Sequence, residues 1–151
     1  MDFGTTLRRW IRRLRRDSMD RGSAEEPLVF AVTHCYPTRL ALYAAAFQGG
    51  WKVIFRKSIR EAAEAAQSCR AKAVFYDPVV GDTGWRCYCS LLSREGVPFV
   101  FMAHPRDDDA FLAVLAAGGY QVSGDPLTSE EIVKAVDFAE EVAALARVPV
   151  G

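Results

Sequence analysis

The chain has 151 residues, of which 50% are hydrophobic and 25% charged, and its 19 basic and 19 acidic side chains give a formal net charge of zero. This composition excludes a wholly disordered chain and a uniformly basic nucleic-acid binder, and no apolar run approaches the ~18 residues of a membrane span. The four cysteines are too few for a disulfide scaffold and the N-terminus lacks the apolar segment of a cleavable signal peptide. We therefore expect reduced thiols and a cytoplasmic protein.

The first 26 residues are predicted to form a basic arm followed by a linker. Residues 1–22 carry seven arginines against three aspartates. The spacing i, i+3, i+4, i+7 predicts a helix with one apolar face, formed by Leu7, Trp10, Ile11 and Leu14. Four roles fit such an arm: contact with an anionic membrane surface, which would make the protein membrane-peripheral; contact with nucleic-acid phosphates that is blind to base sequence; binding of a protein partner; or no dedicated partner.

From Pro27 onward, short apolar runs alternate with segments of helical pattern. Strands are predicted over 28–32, 51–55, 73–76, 98–103 and 120–123. Helices are predicted over 38–48, 58–69, 85–94, 107–117 and 128–147, two of them opened by capping boxes (Ser58 with Glu61, and Thr128 with Glu131). Residues 77–84, rich in Gly, Pro and Asp, are predicted to be a loop.

This alternation predicts an α/β doubly wound fold with a parallel sheet, in one domain over 27–147 with a short tail at 148–151. The third and fourth strands are apolar throughout, which indicates burial on both faces. In such a fold, functional side chains follow the carboxyl ends of the strands. The candidates at these positions are Thr33, His34, Cys35, Asp77, Ala103, His104 and Asp125.

Over roughly residues 27–146, the order and spacing resemble the receiver domain of two-component response regulators, the CheY-like family. Residues 73–77, with the short loop to Gly84 and Trp85, resemble the strand that ends in the phosphorylated aspartate. Residues 97–102 resemble the fourth strand, and residues 125–131 resemble the segment in which a Lys-Pro pair leads into the last helix. The resemblance implies a flavodoxin-like, five-stranded parallel sheet with the order 2-1-3-4-5.

The resemblance also implies a site that is degenerate in this chain. Asp77 matches the phosphoacceptor. The family has a pair of acids after the first strand that holds Mg²⁺, whereas Thr33, His34 and Cys35 stand there. Ala103 replaces the Thr or Ser that contacts the phosphoryl group, and Asp125 replaces the phosphate-pairing Lys. The aromatic switch position on the fifth strand maps closest to Val122, with Tyr120 two residues away.

These substitutions predict a pseudo-receiver in which Asp77 is a structural remnant. We expect a stand-alone receiver-like domain that acts in bacterial signal transduction by protein–protein contact, without catalytic activity and without a cofactor. Two alternatives stay open at this stage. One is a working phosphorylatable receiver with Asp77 as acceptor, and the other is a flavodoxin-like domain that binds a small ligand or catalyses a reaction. The loops after the strands lack a Gly-rich phosphate cradle.

Several other side chains could belong to a functional site or could have an ordinary structural role. His34, Cys35, Asp77 and His104 could converge as zinc ligands, or be four ordinary polar loop residues. Cys87 and Cys89 lie at i and i+2, which point to different faces of a helix, and we predict buried free thiols. The run Asp107–Asp109 is predicted to be a solvated helix start.

The last two predicted helices carry more apolar residues than one narrow stripe needs. These residues are Phe111, Leu112, Val114, Leu115, Ile132, Val133, Val136, Phe138 and Val142. Packing on the sheet would account for most of them. The remainder is compatible with a surface for a homodimer or a protein partner, and we expect no sequence-specific contact with nucleic acid.

Overall fold

The computed structural model describes residues 26–103, 108–124 and 127–146. Its strands are β1 (Leu28–Val32), β2 (Lys52–Phe55), β3 (Ala73–Tyr76), β4 (Phe99–Ala103) and β5 (Tyr120–Ser123). Its helices are α1 (Tyr36–Gly49), α2 (Ile59–Ser68), α3 (Trp85–Arg94), α4 (Asp108–Ala116) and α5 (Ser129–Ala146). The predicted arm helix and the tail at 148–151 lie outside this part of the chain.

All strand pairs are parallel, and the sheet order is β2-β1-β3-β4-β5. The predicted fold class and sheet order are therefore confirmed. The strands β3 and β4 are buried at every position, as their unbroken apolar sequence predicts. Both faces of the sheet must then be covered by helices.

The helices form two layers, one on each face of the sheet. Helices α1 and α5 pack on one face, around a core that includes Leu42, Phe75 and Ile132. Helices α2, α3 and α4 pack on the other face, around a core that includes Ile59 and Leu92. Among the described residues, no helix combines the length and the hydropathy needed to cross a bilayer.

Element ends differ from the predicted ones where local chemistry outweighs the hydrophobic pattern. Helix α1 begins at Tyr36, two residues before the predicted start, because Pro37 suits the first helical turn. It ends at Gly49 and is capped by Gly50, whose φ of 72° is in the left-handed conformation. The amide of Trp51 still donates to Ala46 O at 3.0 Å, so β2 begins one residue later than predicted.

Helix starts fix the loops that surround the candidate site. At α5, Thr128 and Glu131 form the predicted reciprocal capping box, with bonds of 3.2 and 3.3 Å. At α2, the Ser58 hydroxyl accepts from the amide of Glu61 at 3.1 Å, as predicted. The Glu61 carboxylate, however, accepts from Lys57 N rather than from Ser58 N. The amide of Ile59, the first residue of α2, takes its acceptor from elsewhere in the chain.

Candidate functional site

Asp77 follows β3 directly, and its side chain is sequestered inside the protein. The residue is 1% exposed. Its Oδ2 accepts a hydrogen bond from the Thr33 hydroxyl at 2.8 Å, and its Oδ1 accepts from Val79 N at 3.0 Å. The second bond caps the short 3₁₀ helix Pro78–Val80, which occupies part of the predicted loop. Both carboxylate oxygens are therefore engaged by the chain itself.

Thr33 supplies this contact from the end of β1, where the resemblance calls for magnesium-binding acids. The side chain is buried, and its Oγ1 also accepts from Cys35 N at 3.2 Å. This hydroxyl is neutral and already bonds Asp77 and Cys35, so it does not supply the carboxylate oxygens that Mg²⁺ prefers. The neighbouring His34 and Cys35 are exposed, so neither shares the buried position of Asp77.

The remaining predicted site residues contribute little that the structure describes. Ala103 is buried at the end of β4, and its methyl group offers no hydrogen bond. His104 and Asp125 lie outside the described residues. Within the described ranges, no group of three His, Cys, Asp or Glu side chains comes together. Because His104 is outside these ranges, the four-residue zinc cluster stays a prediction.

Asp82 lies in the loop beside the candidate site and was not among the predicted site residues. Its Oδ2 accepts from Ile59 N at 2.7 Å, which gives the amide of the first residue of α2 a hydrogen-bond partner. A carboxylate at a helix N-terminus is favourable because it meets unpaired amides and the positive end of the helix dipole. Asp82 therefore ties the loop after Asp77 to a neighbouring helix, and the Gly- and Asp-rich composition of 77–84 was its only sequence signal.

An aromatic cluster lies beside the site on the α2–α4 face of the sheet. The ring centroids of Trp85 and Phe101 are 4.6 Å apart, and Tyr76 lies within 6.4 Å of both rings and of Phe99. Burial, followed by the negative charge of Asp82, raises the pKa of Tyr76 to about 12. The Tyr76 hydroxyl is therefore neutral at physiological pH and acts as part of the core.

The fifth strand places a buried amide on the side of the sheet that carries this cluster, one residue before Val122, the position to which the resemblance maps the aromatic switch. Val122 packs in the core on the α1–α5 side. Gln121 pairs in register with Phe101 and so lies on the opposite face, with 7% of its surface exposed. Neither polar atom of the Gln121 amide has a hydrogen-bond partner among the described residues. No pattern in the sequence predicts this buried amide.

The cysteines divide into exposed and buried thiols. Cys89 is fully buried, and burial raises the pKa of its thiol to about 12. Cys35 and Cys87 are exposed, and Cys69 is half-buried. The prediction of buried thiols is therefore confirmed for Cys89 and wrong for Cys87. The two residues occupy different sides of α3, as their i, i+2 spacing requires.

We expect this difference to appear in the rate of reaction with DTNB. In the folded protein Cys35 and Cys87 should react fast, whereas Cys89 should react only after unfolding in urea, because a buried neutral thiol is a poor nucleophile. The double variant Cys35→Ser/Cys87→Ser should lose the fast phase. Mass spectrometry that located fast labelling at Cys89 in the native protein would contradict the burial described above.

Exposed apolar side chains lie on three helices rather than only on the last two. Leu112 and Leu115 on α4, and Phe138 on α5, are exposed, whereas Val114, Ile132 and Val136 of the same predicted set pack in the core. The sequence analysis missed a longer exposed row on α1. Its members recur at i, i+4, i+7 and i+11, and they are Tyr36, Leu40, Tyr43 and Phe47.

Comparison with known proteins identifies the fold. No protein-family model and no curated protein matches the sequence. Among solved structures, a response regulator from Thermotoga maritima superposes with a TM-score of 0.64 at 20% identity, over 78% of this chain and 99% of the other. The CheY4 chemotaxis protein of Vibrio cholerae gives 0.63 at 16% identity, over 76% and 99%.

A third similar structure is the signal receiver domain of an HD domain-containing protein from Pseudomonas fluorescens, with a TM-score of 0.65 at 13% identity over 85% of this chain and 96% of that domain. The chain therefore has the fold of response regulator receiver domains. This agrees with the resemblance that its sequence shows, and it places Asp77 at the carboxyl edge of the sheet, directly after β3.

Proposed function

We propose that this chain is a receiver-like regulatory domain that acts in bacterial signal transduction by protein–protein contact, without magnesium-dependent phosphorylation of Asp77. The observation that carries the proposal is the hydrogen bonding of Asp77. Both of its carboxylate oxygens are bound inside the protein, and one of the donors is Thr33, at a position where the receiver chemistry needs a metal-binding acid.

The chemistry of phosphoryl transfer supports this proposal. Transfer to a carboxylate depends on positioning and on neutralising the charge of the phosphoryl oxygens. Mg²⁺ binds through carboxylate oxygens, and Thr33, His34 and Cys35 offer none. In the sequence, Asp125 stands at the position of the phosphate-pairing lysine. At ~4 Å and an effective dielectric constant of ~20, this change replaces an attraction of about 4 kcal/mol by a repulsion of similar size.

A domain of this kind works through its surfaces. The exposed residues Leu112 and Leu115 on α4, with Phe138 and Leu145 on α5, offer apolar area for a protein partner or a second copy of the chain. Two alternatives have their own signatures. A working receiver would bind phosphoryl analogues at Asp77, and an enzyme or ligand-binding domain would retain a small molecule on purification or turn one over.

The test is Mg²⁺-dependent binding of beryllofluoride, followed by NMR on the isotopically labelled full chain. We expect no saturable shifts around Asp77 at millimolar beryllofluoride, because the carboxylate is already hydrogen-bonded and the metal lacks ligands. The control is Asp77→Asn, which keeps an acceptor for Val79 N. Saturable shifts in the wild type that disappear in Asp77→Asn would refute the proposal and make the domain a working phosphoswitch.

A further inference from the structure

A cleft lies at the amino-terminal edge of the sheet, the opposite edge from the one that carries Asp77. Three segments line it: the residues that lead into β3, the residues that lead into β4, and the C-terminal half of α5. Its volume of about 680 Å³ is within the range of small-molecule sites. The charged residues that line it are Arg70, Lys72, Glu95 and Glu140.

The floor of the cleft is apolar and held in place by the fold. Ala71 and Val97 are 9% and 8% exposed, and Pro98, the next residue along the chain, is buried as well. The amide of Val97 donates to Leu92 O at 2.8 Å, and the carbonyl of Pro98 accepts from Val74 N at 2.8 Å. A floor that is already ordered loses little conformational entropy when a ligand binds to it.

An ion pair between the segment before β3 and α5 gives the cleft one polar wall. Lys72 Nζ lies 2.6 Å from Glu140 Oε1, and the two side chains are 23% and 40% exposed. This oxygen is buried and accepts no hydrogen bond from the described residues, so the contact is electrostatic rather than directed. Since an ammonium group has three donors, Lys72 keeps donors for a second acceptor in the cleft.

Two further charges line the same cleft without meeting each other. Arg70 and Glu95 have opposite charges, yet the described structure contains no ion pair between them. The Arg70 guanidinium has neither a hydrogen bond nor an ion pair among the described residues. Glu95 Oε1 accepts a long hydrogen bond of 3.4 Å from Gln67 Nε2. The cleft therefore presents a cation and a carboxylate with a gap between them.

We propose that this cleft binds a free α-amino acid with an aliphatic side chain. The carboxylate of the ligand bonds the planar fork of Arg70, and its ammonium group pairs with Glu95. Its side chain lies on the apolar floor at Val97. Because the four charged side chains of the cleft sum to zero, a zwitterion is favoured over an anion or a cation of the same shape. This inference goes beyond the proposed function and does not depend on the state of Asp77.

The experiment is a titration of the isotopically labelled full chain with L-leucine, followed by NMR. We expect saturable shifts of the amides of residues 70–72 and 95–97. Two analogues test the charges separately, since 4-methylpentanoate lacks the ammonium group of leucine and 3-methylbutylamine lacks its carboxylate. Each analogue should bind about tenfold or more weakly than leucine, because each leaves one charged side chain of the cleft without its partner.

Substitutions in the cleft test the same assignment from the side of the protein. Arg70→Gln and Glu95→Gln should each weaken the binding of leucine by about tenfold or more. The matched controls are Arg94→Gln and Glu141→Gln, which change exposed charges next to cleft residues in the sequence but outside the lining. The controls should bind leucine as the wild type does. Circular dichroism melting curves verify that each variant is folded.

Any of four results would overturn the inference. These are the absence of saturable shifts with L-leucine and L-valine at tens of millimolar, equal binding of leucine and either analogue, equal weakening in the cleft variants and their controls, and shifts that centre on Asp77 instead of residues 70–72. Equal binding of 4-methylpentanoate would assign the cleft to organic anions. Binding of beryllofluoride at Asp77 would refute the proposed function and leave this inference standing, so the two failures are distinguishable.

Discussion

Replacing Asp77 by alanine should lower the free energy of unfolding by about 2–3 kcal/mol. The substitution removes the acceptor of two hydrogen bonds, so that the buried Thr33 hydroxyl loses its acceptor and the amide of Val79 loses its cap. The change is measured by urea denaturation of the wild type and the variant under the same conditions. A lower midpoint with an unchanged slope would assign a structural role to Asp77.

Two further variants make this result specific. Asp137→Ala removes an exposed carboxylate on α5 and should change stability by no more than about 0.5 kcal/mol. Asp77→Asn keeps one carbonyl acceptor and should fall between the wild type and Asp77→Ala. An increase in stability on replacing Asp77 would contradict our interpretation, because it would mean that the fold keeps a strained carboxylate for a ligand.

Phe101→Ala should have the largest effect, a loss of about 3–5 kcal/mol of stability. Phe101 is buried in β4, against Trp85 on one side and Tyr76 on the other. Its removal leaves a cavity in the aromatic cluster beside Asp77, and it brings the buried amide of Gln121 next to empty space. Urea denaturation followed by tryptophan fluorescence measures the loss, and the environment of Trp85 should change in the native state.

The control for Phe101→Ala is Phe138→Ala. Phe138 is half-exposed on α5 and stacks on Tyr120 at 5.6 Å. Its replacement should lower the free energy of unfolding by about 1 kcal/mol or less through the lost ring stacking, in addition to the contribution of the apolar area that the ring covers. Equal losses of stability in the two variants would show that the aromatic cluster around Phe101 is not tightly packed, contrary to its short ring distances.

Local patterns in the sequence were enough to predict the fold. The unbroken apolar runs of β3 and β4 predict a sheet buried on both faces, and the capping box at Thr128 marks the start of α5 within one residue. The Asp-Pro pair at 77–78 also carries a local signal, since Asp is a preferred cap and Pro a preferred first helical residue. The largest shift, two residues at the start of α1, occurred where a proline suits the first helical turn, and the other boundaries moved by about one residue.

The contact between Thr33 and Asp77 could not be predicted in the same way. It depends on the register of β1 against β3, which sets Val32 beside Tyr76 and so brings the two following residues level. Register is a property of the whole sheet, because it depends on which face of each strand meets the core. No spacing within either segment reveals it.

The exposed row on α1, which consists of Tyr36, Leu40, Tyr43 and Phe47, was missed for a different reason. Helix α1 has apolar residues on two sides, one anchored by Leu42 and one formed by Leu40 and Tyr43. Periodicity identifies apolar sides but does not decide which of two packs on a sheet. Only the position of α1 between the edge strand β2 and helix α5 leaves the second side in solvent.

The position of β1 between β2 and β3 in the sheet also bears on the order in which the chain folds. Its neighbour β2 follows after a single helix, so the segment β1–α1–β2 can assemble from local contacts. Its other neighbour, β3, comes later, and the bond from Thr33 to Asp77 spans 44 residues. Closing so long a loop is slow. We therefore expect the bond to form late in folding, so that its loss raises the unfolding rate more than it lowers the folding rate.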